Sequence, residues 1–232
     1  MAIIFGSKLR NYLLGWKSII GCLLGVIGIT TVCNAHPHNW VTVRSEFELN
    51  DSSHLVTISQ VWRFDFFYSA ILIAELANDW QQPLPKALEL EARRMVTNLK
   101  PYGYFSVLSI GDRDTALPIP DHYRLQVVKD GEQEFLELSM HFQLNPHLLL
   151  KGNELIWLVF DPTYYIAYSH ESVSNIEIRH PTGWQCSKQL RMPEIQEELI
   201  AYAFSLDRTQ RDTDGLGEAF AEKIVIRCEP QS

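Results

Sequence analysis

Two runs of near-strict alternation constrain this chain more than anything else in it. WVTVRSEFEL at 40–49 and HLVTISQVWRF at 54–64 place apolar residues at every second position but for Ser45 and Gln60, on either side of a turn-like NDSS. Successive side chains on a strand point to opposite faces, so this pattern specifies two half-buried strands joined as a hairpin. The periodicity then changes. DFFYSAILIAELAND at 65–79 carries apolar residues at helical spacing, with Asp65 placed as an N-cap. In the following PLPKALELEARRMVTNL, residues Leu84, Leu88, Ala92, Met95 and Leu99 form one stripe, Pro85 suits a first turn, and Glu89 stands four residues before Arg93. A helical hairpin therefore interrupts a sheet.

Strand-like segments resume after KPYGYF: YFSVLSI, YRLQVVK, EFLELSMHFQL, ELIWLVFD, YYIAYS and VSNIEIR, separated by DRDT, KDGEQ and LKGN. PEIQEELIAYAFSL at 193–206 reads as a final helix and AEKIVIRC as the last strand. The expected class is α+β, a mainly antiparallel β-sheet or sandwich with an inserted helical hairpin and a C-terminal helix. No composition break calls for a boundary within it.

The amino terminus reads as a signal peptide, residues 1–35. Lys8, Arg10 and Lys17 supply a positive n-region, and the apolar stretch SIIGCLLGVIGITTV at 18–32 is shorter than the roughly 20 residues of a usual span. It ends on VCNA, with small residues Cys33 and Ala35 where a signal peptidase reads. An uncleaved anchor is the competing reading, and the short run counts against it. Residues 36–232 are then expected to be one periplasmic α+β domain with no membrane span. The leader holds three of the 20 basic residues and none of the 28 acidic ones, so 36–232 carries 17 against 28, a net charge of −11. That balance repels nucleic-acid phosphates and argues against a nucleic-acid partner. Two cysteines remain after the leader, Cys186 and Cys228, and in an oxidising compartment a disulfide is the default.

The chemistry-bearing stretch is NAHPHNW at 34–40. Cleavage after Ala35 makes His36 the first residue, so its α-amine and imidazole chelate one ion, and His38 projects from the same side of an extended chain. Three nitrogen donors suit zinc, nickel or copper rather than calcium or magnesium. Pro37 has no amide hydrogen, which blocks the square-planar mode built on deprotonated backbone amides. The bland alternative is a frayed terminus that happens to hold histidine. Asp65, Asp161 and His170, at the ends of predicted strands, are the further candidate ligands. His141 alternates into an apolar strand and reads as a hydrogen-bonded core histidine; His54, His122, His147 and His180 read as solvated. Tyr164, Tyr165 and Tyr168 read as packing aromatics. No G-x-S-x-G, H-E-x-x-H, P-loop or dinucleotide fingerprint is present, so the sequence nominates no enzyme.

Five separated motifs carry a resemblance: AHPHNWV, WRFDFFYSAIL, NLKPYGYF, FDPTYYIAY and DTDGLGEAFAEKIVIRC. Together they resemble a bacterial family of periplasmic transport-system components, domain-of-unknown-function family 1007, over essentially the whole chain after the leader. The resemblance implies a metal-handling accessory, since members are often encoded beside nickel/cobalt-type or zinc-related permeases, and the family's His-x-His falls on His36 and His38. Many relatives carry an acidic D-x-N-x-D-G loop between the two helices; here ANDWQQPLPKALE has Asp79 as its one aspartate, so a calcium role is not carried over. The expected function is a transition-metal-binding accessory to an inner-membrane metal permease. The alternatives are an interaction module docking on an envelope transporter and a copper histidine-brace oxidative enzyme.

Overall fold

The computed structural model describes residues 37–78, 82–206 and 215–231. The signal peptide, His36 and Asp79 lie outside the described residues.

The alternating runs form β1 (Asn39–Leu49) and β2 (His54–Phe64), paired antiparallel from Val41↔Phe64 to Leu49↔Leu55. Their turn is closed by Asn50, whose Oδ1 accepts from the amides of Ser52 and His54, each at 3.0 Å. The helical hairpin follows as α1 (Phe66–Asn78) and α2 (Leu84–Leu99). Asp65 caps α1: its Oδ1 accepts from Tyr68 N at 3.0 Å. Pro85 occupies the first turn of α2. A 3₁₀ segment, Lys100–Phe105, then bends the chain through left-handed Gly103 and Tyr104 into β3 (Ser106–Ile110) and β4 (Arg113–Thr115).

The remaining strands are β5 (His122–Asp130), β6 (Gln133–Leu149), β7 (Glu154–Val159), β8 (Ile166–Ser169), β9 (Ile176–Arg179), β10 (Trp184–Arg191) and β11 (Lys223–Pro230). They assemble into two sheets. One runs β5-β6-β2-β1-β8, with β9 also on β1; the other runs β10-β11-β7-β3-β4. All pairings are antiparallel except β1 with β8 and β9. The expected α+β class, mainly antiparallel, is what the chain adopts.

The sheets face each other across one core. Phe47 of β1 meets Trp157 of β7 edge-on at 5.9 Å, and Tyr104 meets Phe142 of β6 at 5.3 Å. Leu136, Leu138, Met140, Phe142 and Leu144 point inward at every second residue of β6 and are buried. Toward the β5 edge the helical hairpin joins this core through Leu72, Ala92 and Val96. Ser69 of α1 ties the two together, its hydroxyl accepting from Leu136 N at 3.0 Å. The α1 helix buries little else, and Phe67 and Ile71 are 76% and 62% exposed.

Two outcomes differ from the sequence reading. The last long helix, α3 (Glu197–Ser205), starts four residues later than 193: Gln196 is extended, and Pro193 and Ile195 line a pocket with residues of β8. And β4 and β10 form where the sequence pattern predicts no strand; DRDT has the composition of a turn. A short α4 (Leu216–Ala219) precedes β11. Register places Cys186 directly opposite Cys228, and a disulfide joins them as expected, 42 residues apart in sequence.

Candidate functional site at the start of strand β1

The sequence motifs converge where β1 begins. His38 lies just before the strand; its N–H donates to Tyr165 O at 2.9 Å and its ring packs on Tyr165 with centroids 4.8 Å apart. Two residues on, Trp40 is locked to the end of β2: Asp65 N donates to Trp40 O at 3.0 Å, and Trp40 N lies 3.3 Å from Asp65 Oδ2. Main-chain bonds thereby tie His38 to the segment leading into β8 and Trp40 to the end of β2.

Asp161 sits on the other flank and is 5% exposed. Its Oδ1 accepts from the amide and hydroxyl of Thr163, and its Oδ2 from Ile166 N at 3.2 Å. Both carboxylate oxygens are thus committed to shaping the 161–166 loop that carries Tyr165 to His38. The C-terminal motif locks the same loop from outside: Gly217 N donates to Pro162 O, and a Cβ on Gly217 would come within 1.8 Å of Asp161 O. Only glycine permits that approach. Beneath lie Tyr68 and Tyr168. Desolvation, with Asp161 second, pushes the Tyr168 hydroxyl well above its ordinary value; desolvation and Glu91 raise Tyr68. Both phenols therefore stay protonated through the neutral range, as hydrogen-bonding groups rather than anions.

His170 is placed apart from this cluster. It follows β8, five residues beyond Tyr165, or about 16 Å along an extended chain. There it is buried at 2% exposure, Nε2 2.9 Å from Ser45 Oγ and Nδ1 3.2 Å from Glu222 Oε2. Its backbone N–H also donates to Glu222 Oε2 at 2.6 Å, while the Ser169 hydroxyl donates to Oε1 at 2.6 Å. Burial raises the Glu222 pKa, but these hydrogen bonds from His170 and Ser169 outweigh it and hold the carboxyl below its ordinary value. The order serine–histidine–carboxylate resembles a hydrolase relay. Here, though, Ser45 is 2% exposed in a central strand, so the array joins β1, β8 and β11 rather than presenting a nucleophile. Sequence reading missed Ser45 and Glu222, and nothing local marks either: one is a strand serine, the other a glutamate 52 residues from its histidine.

A second histidine pair lies on the outer face of the first sheet. His141 Nδ1 is 2.7 Å from Asp121 Oδ1, and His122, its cross-strand partner, has Nε2 3.5 Å from Asp121 Oδ2. The expectation of a core histidine at His141 is corrected, because β6 turns Met140 and Phe142 inward and leaves His141 on the solvent side. The His141 hydrogen bond holds the Asp121 carboxyl below its ordinary value. Among the described residues no group of three or more His, Cys, Asp or Glu side chains is set to hold a metal ion.

Of the five expected ligands, then, His38 lies just before β1 and Asp65 is bonded to Trp40 two residues further on, Asp161 is internally bonded in the loop that carries Tyr165, and His170 lies elsewhere. The partner of His38 in the expected chelate, His36, lies outside the described residues.

Fold and site together define a class: a disulfide-closed antiparallel sandwich with an interposed helical hairpin and a histidine pinned where its first strand begins. Residues 21–228 match a family described as a protein of unknown function, DUF1007, and the chain belongs to that family. It is also similar to an uncharacterized protein of Haemophilus influenzae, 30% identical over 202 residues that cover 84% of this chain and 92% of that relative.

Proposed function

We propose that this protein is a periplasmic accessory that binds a transition metal ion, zinc, nickel or copper, and works with an inner-membrane metal permease. The observation that supports it is the anchoring of His38, through its N–H to Tyr165 O, and of Trp40 two residues on, through Asp65. A histidine on a frayed tail would lose entropy on binding an ion, whereas His38, tied to the segment leading into β8, has already lost part of it. His38 supplies an imidazole, and His36 supplies an imidazole and, once the Ala35–His36 bond is cut, the terminal amine. That donor set fits a borderline divalent ion. Asp65 and Asp161 act as supports: one caps α1, the other holds the loop behind Tyr165.

Native mass spectrometry of the secreted protein tests this directly, since it reports the mature terminus and any bound ion together. About one ion per chain is expected, with affinity falling as pH drops through the range in which imidazole and amine take up protons. Inserting an alanine before His36, or changing His38→Ala, should weaken binding on the order of tenfold or more. Unchanged affinity in both variants would falsify the site. The second reading, an interaction module on an envelope transporter, has in its favour the exposed apolar residues Phe67 and Ile71 of α1.

A further inference from the structure

At its free edge the first sheet has a feature that the metal reading does not use. β5 ends the strand order and pairs only with β6; among the described residues no strand occupies its other side. A cleft of about 460 Å³ runs there, lined by five consecutive residues, 123–127, and by Leu84, Leu88 and Ala92 of α2. Neighbouring side chains on a strand point to opposite faces, so a cleft touching five in a row follows the strand's edge, not one of its faces. The edge offers unpaired N–H and C=O groups at alternate residues. The helix contributes a wall: Leu84, Leu88 and Ala92 recur every four residues along one stripe. One side of the cleft therefore satisfies a backbone, and the other accepts apolar side chains.

We infer that this cleft binds an extended peptide segment of a partner protein, which adds to β5 as a further strand and turns alternate apolar side chains toward α2. Charge sets the third requirement. Arg124 lines the cleft, is exposed, and makes no salt bridge among the described residues; Glu89, opposite, is already paired with Lys86 at 2.7 Å and Arg93 at 3.6 Å. The bound segment thus carries a single carboxylate that meets Arg124. A run of acidic residues would be repelled by the net −11 of residues 36–232. The volume lies within the roughly 300–1,000 Å³ of ligand-sized clefts. This inference stands whether or not the metal reading does.

The test is selection of a random-peptide library displayed on phage against the full chain as purified from cells. Enriched peptides should alternate apolar and polar residues and contain one Asp or Glu. Synthesised and labelled, such a peptide should bind on the order of tenfold more weakly when alternate backbone amides are N-methylated, since that removes edge hydrogen bonds and leaves side chains intact. Leu88→Asp should abolish binding. Arg124→Glu, an exposed change that leaves the fold intact by circular dichroism, should shift selection toward peptides with Lys or Arg. No enrichment, full affinity of the N-methylated peptide, or identical selection by wild type and both variants overturns the proposal. So does a dimer in sedimentation velocity that Val127→Asp dissociates, because the cleft would then belong to a second copy of the chain.

Discussion

Two histidines, each hydrogen-bonded to a carboxylate, sit in opposite surroundings on the same sheet system. His141 meets Asp121 at 2.7 Å on the outer face; His170 meets Glu222 at 3.2 Å inside the fold. By distance alone the outer pair is the stronger. Burial reverses the ranking. His170 and Glu222 side chains are 3% and 7% exposed, those of His141 and Asp121 33% and 40%. Water and salt stand ready to replace either partner of the outer pair, and nothing replaces a partner of the inner one. Glu222 also accepts from Ser169 and from a backbone amide, so its loss strands several donors at once. The comparison teaches that what a hydrogen bond contributes here depends on what its donors do when it is gone.

The largest effect should come from emptying the buried acceptor. Glu222→Ala leaves the His170 ring, the His170 amide and the Ser169 hydroxyl without their acceptor, and is expected to cost about 3 kcal/mol in urea unfolding. The same residue sets an acid limb. Its folded pKa is lowered, so its contribution is fully present above the unfolded glutamate value, roughly 4.3, and disappears as pH falls through the lower folded value. Wild type should therefore lose stability below about pH 4.3 more steeply than Glu222→Gln, which cannot titrate there. Parallel acid limbs in the two proteins would remove the buried carboxylate from the account.

Next in size is Ser45→Ala. It deletes the hydroxyl at 2.9 Å from His170 Nε2 and leaves Glu222 untouched. One buried ring nitrogen then lacks a partner, at a cost of about 1 kcal/mol, with the acid limb unchanged. Equal losses for Ser45→Ala and Glu222→Ala would mean that the array acts as one indivisible unit rather than a carboxylate hub with a peripheral hydroxyl.

How far the sequence reveals all this depends on how local each feature is. The β1–β2 hairpin and the two helices are legible because alternation and helical stripes are written in neighbouring residues. Asp65 is legible as a cap for the same reason. β10 is not, because WQCSKQLR has too little apolar alternation to announce a strand; its place is fixed by pairing with β11, through Cys186 and Cys228. His141 and His170 show the limit most sharply. Both are single histidines within or next to strand-like segments, and the apolar neighbours of His141 point to it as the core residue although His170 is the buried one. Which of them is buried depends on the face that β6 turns to water and on a glutamate that arrives 52 residues after His170. Neither fact is present in the residues around them.

The smallest expected effect makes the sharpest use of the comparison. Asp121→Asn keeps the shape of the side chain and removes the charge that sits 2.7 Å from His141 Nδ1. The His141 bond lowers the Asp121 pKa, so the pair contributes above the ordinary aspartate range and less as pH falls through the lowered value. Exposure and salt screening hold that contribution to a few tenths of a kcal/mol, below about 0.5. In urea unfolding at neutral pH the variant should be nearly superimposable on wild type, with the residual difference shrinking further in added salt. A loss comparable to that of Glu222→Ala would show that the outer face is covered in the functioning protein, since only exclusion of water could make the shorter bond behave like the buried one.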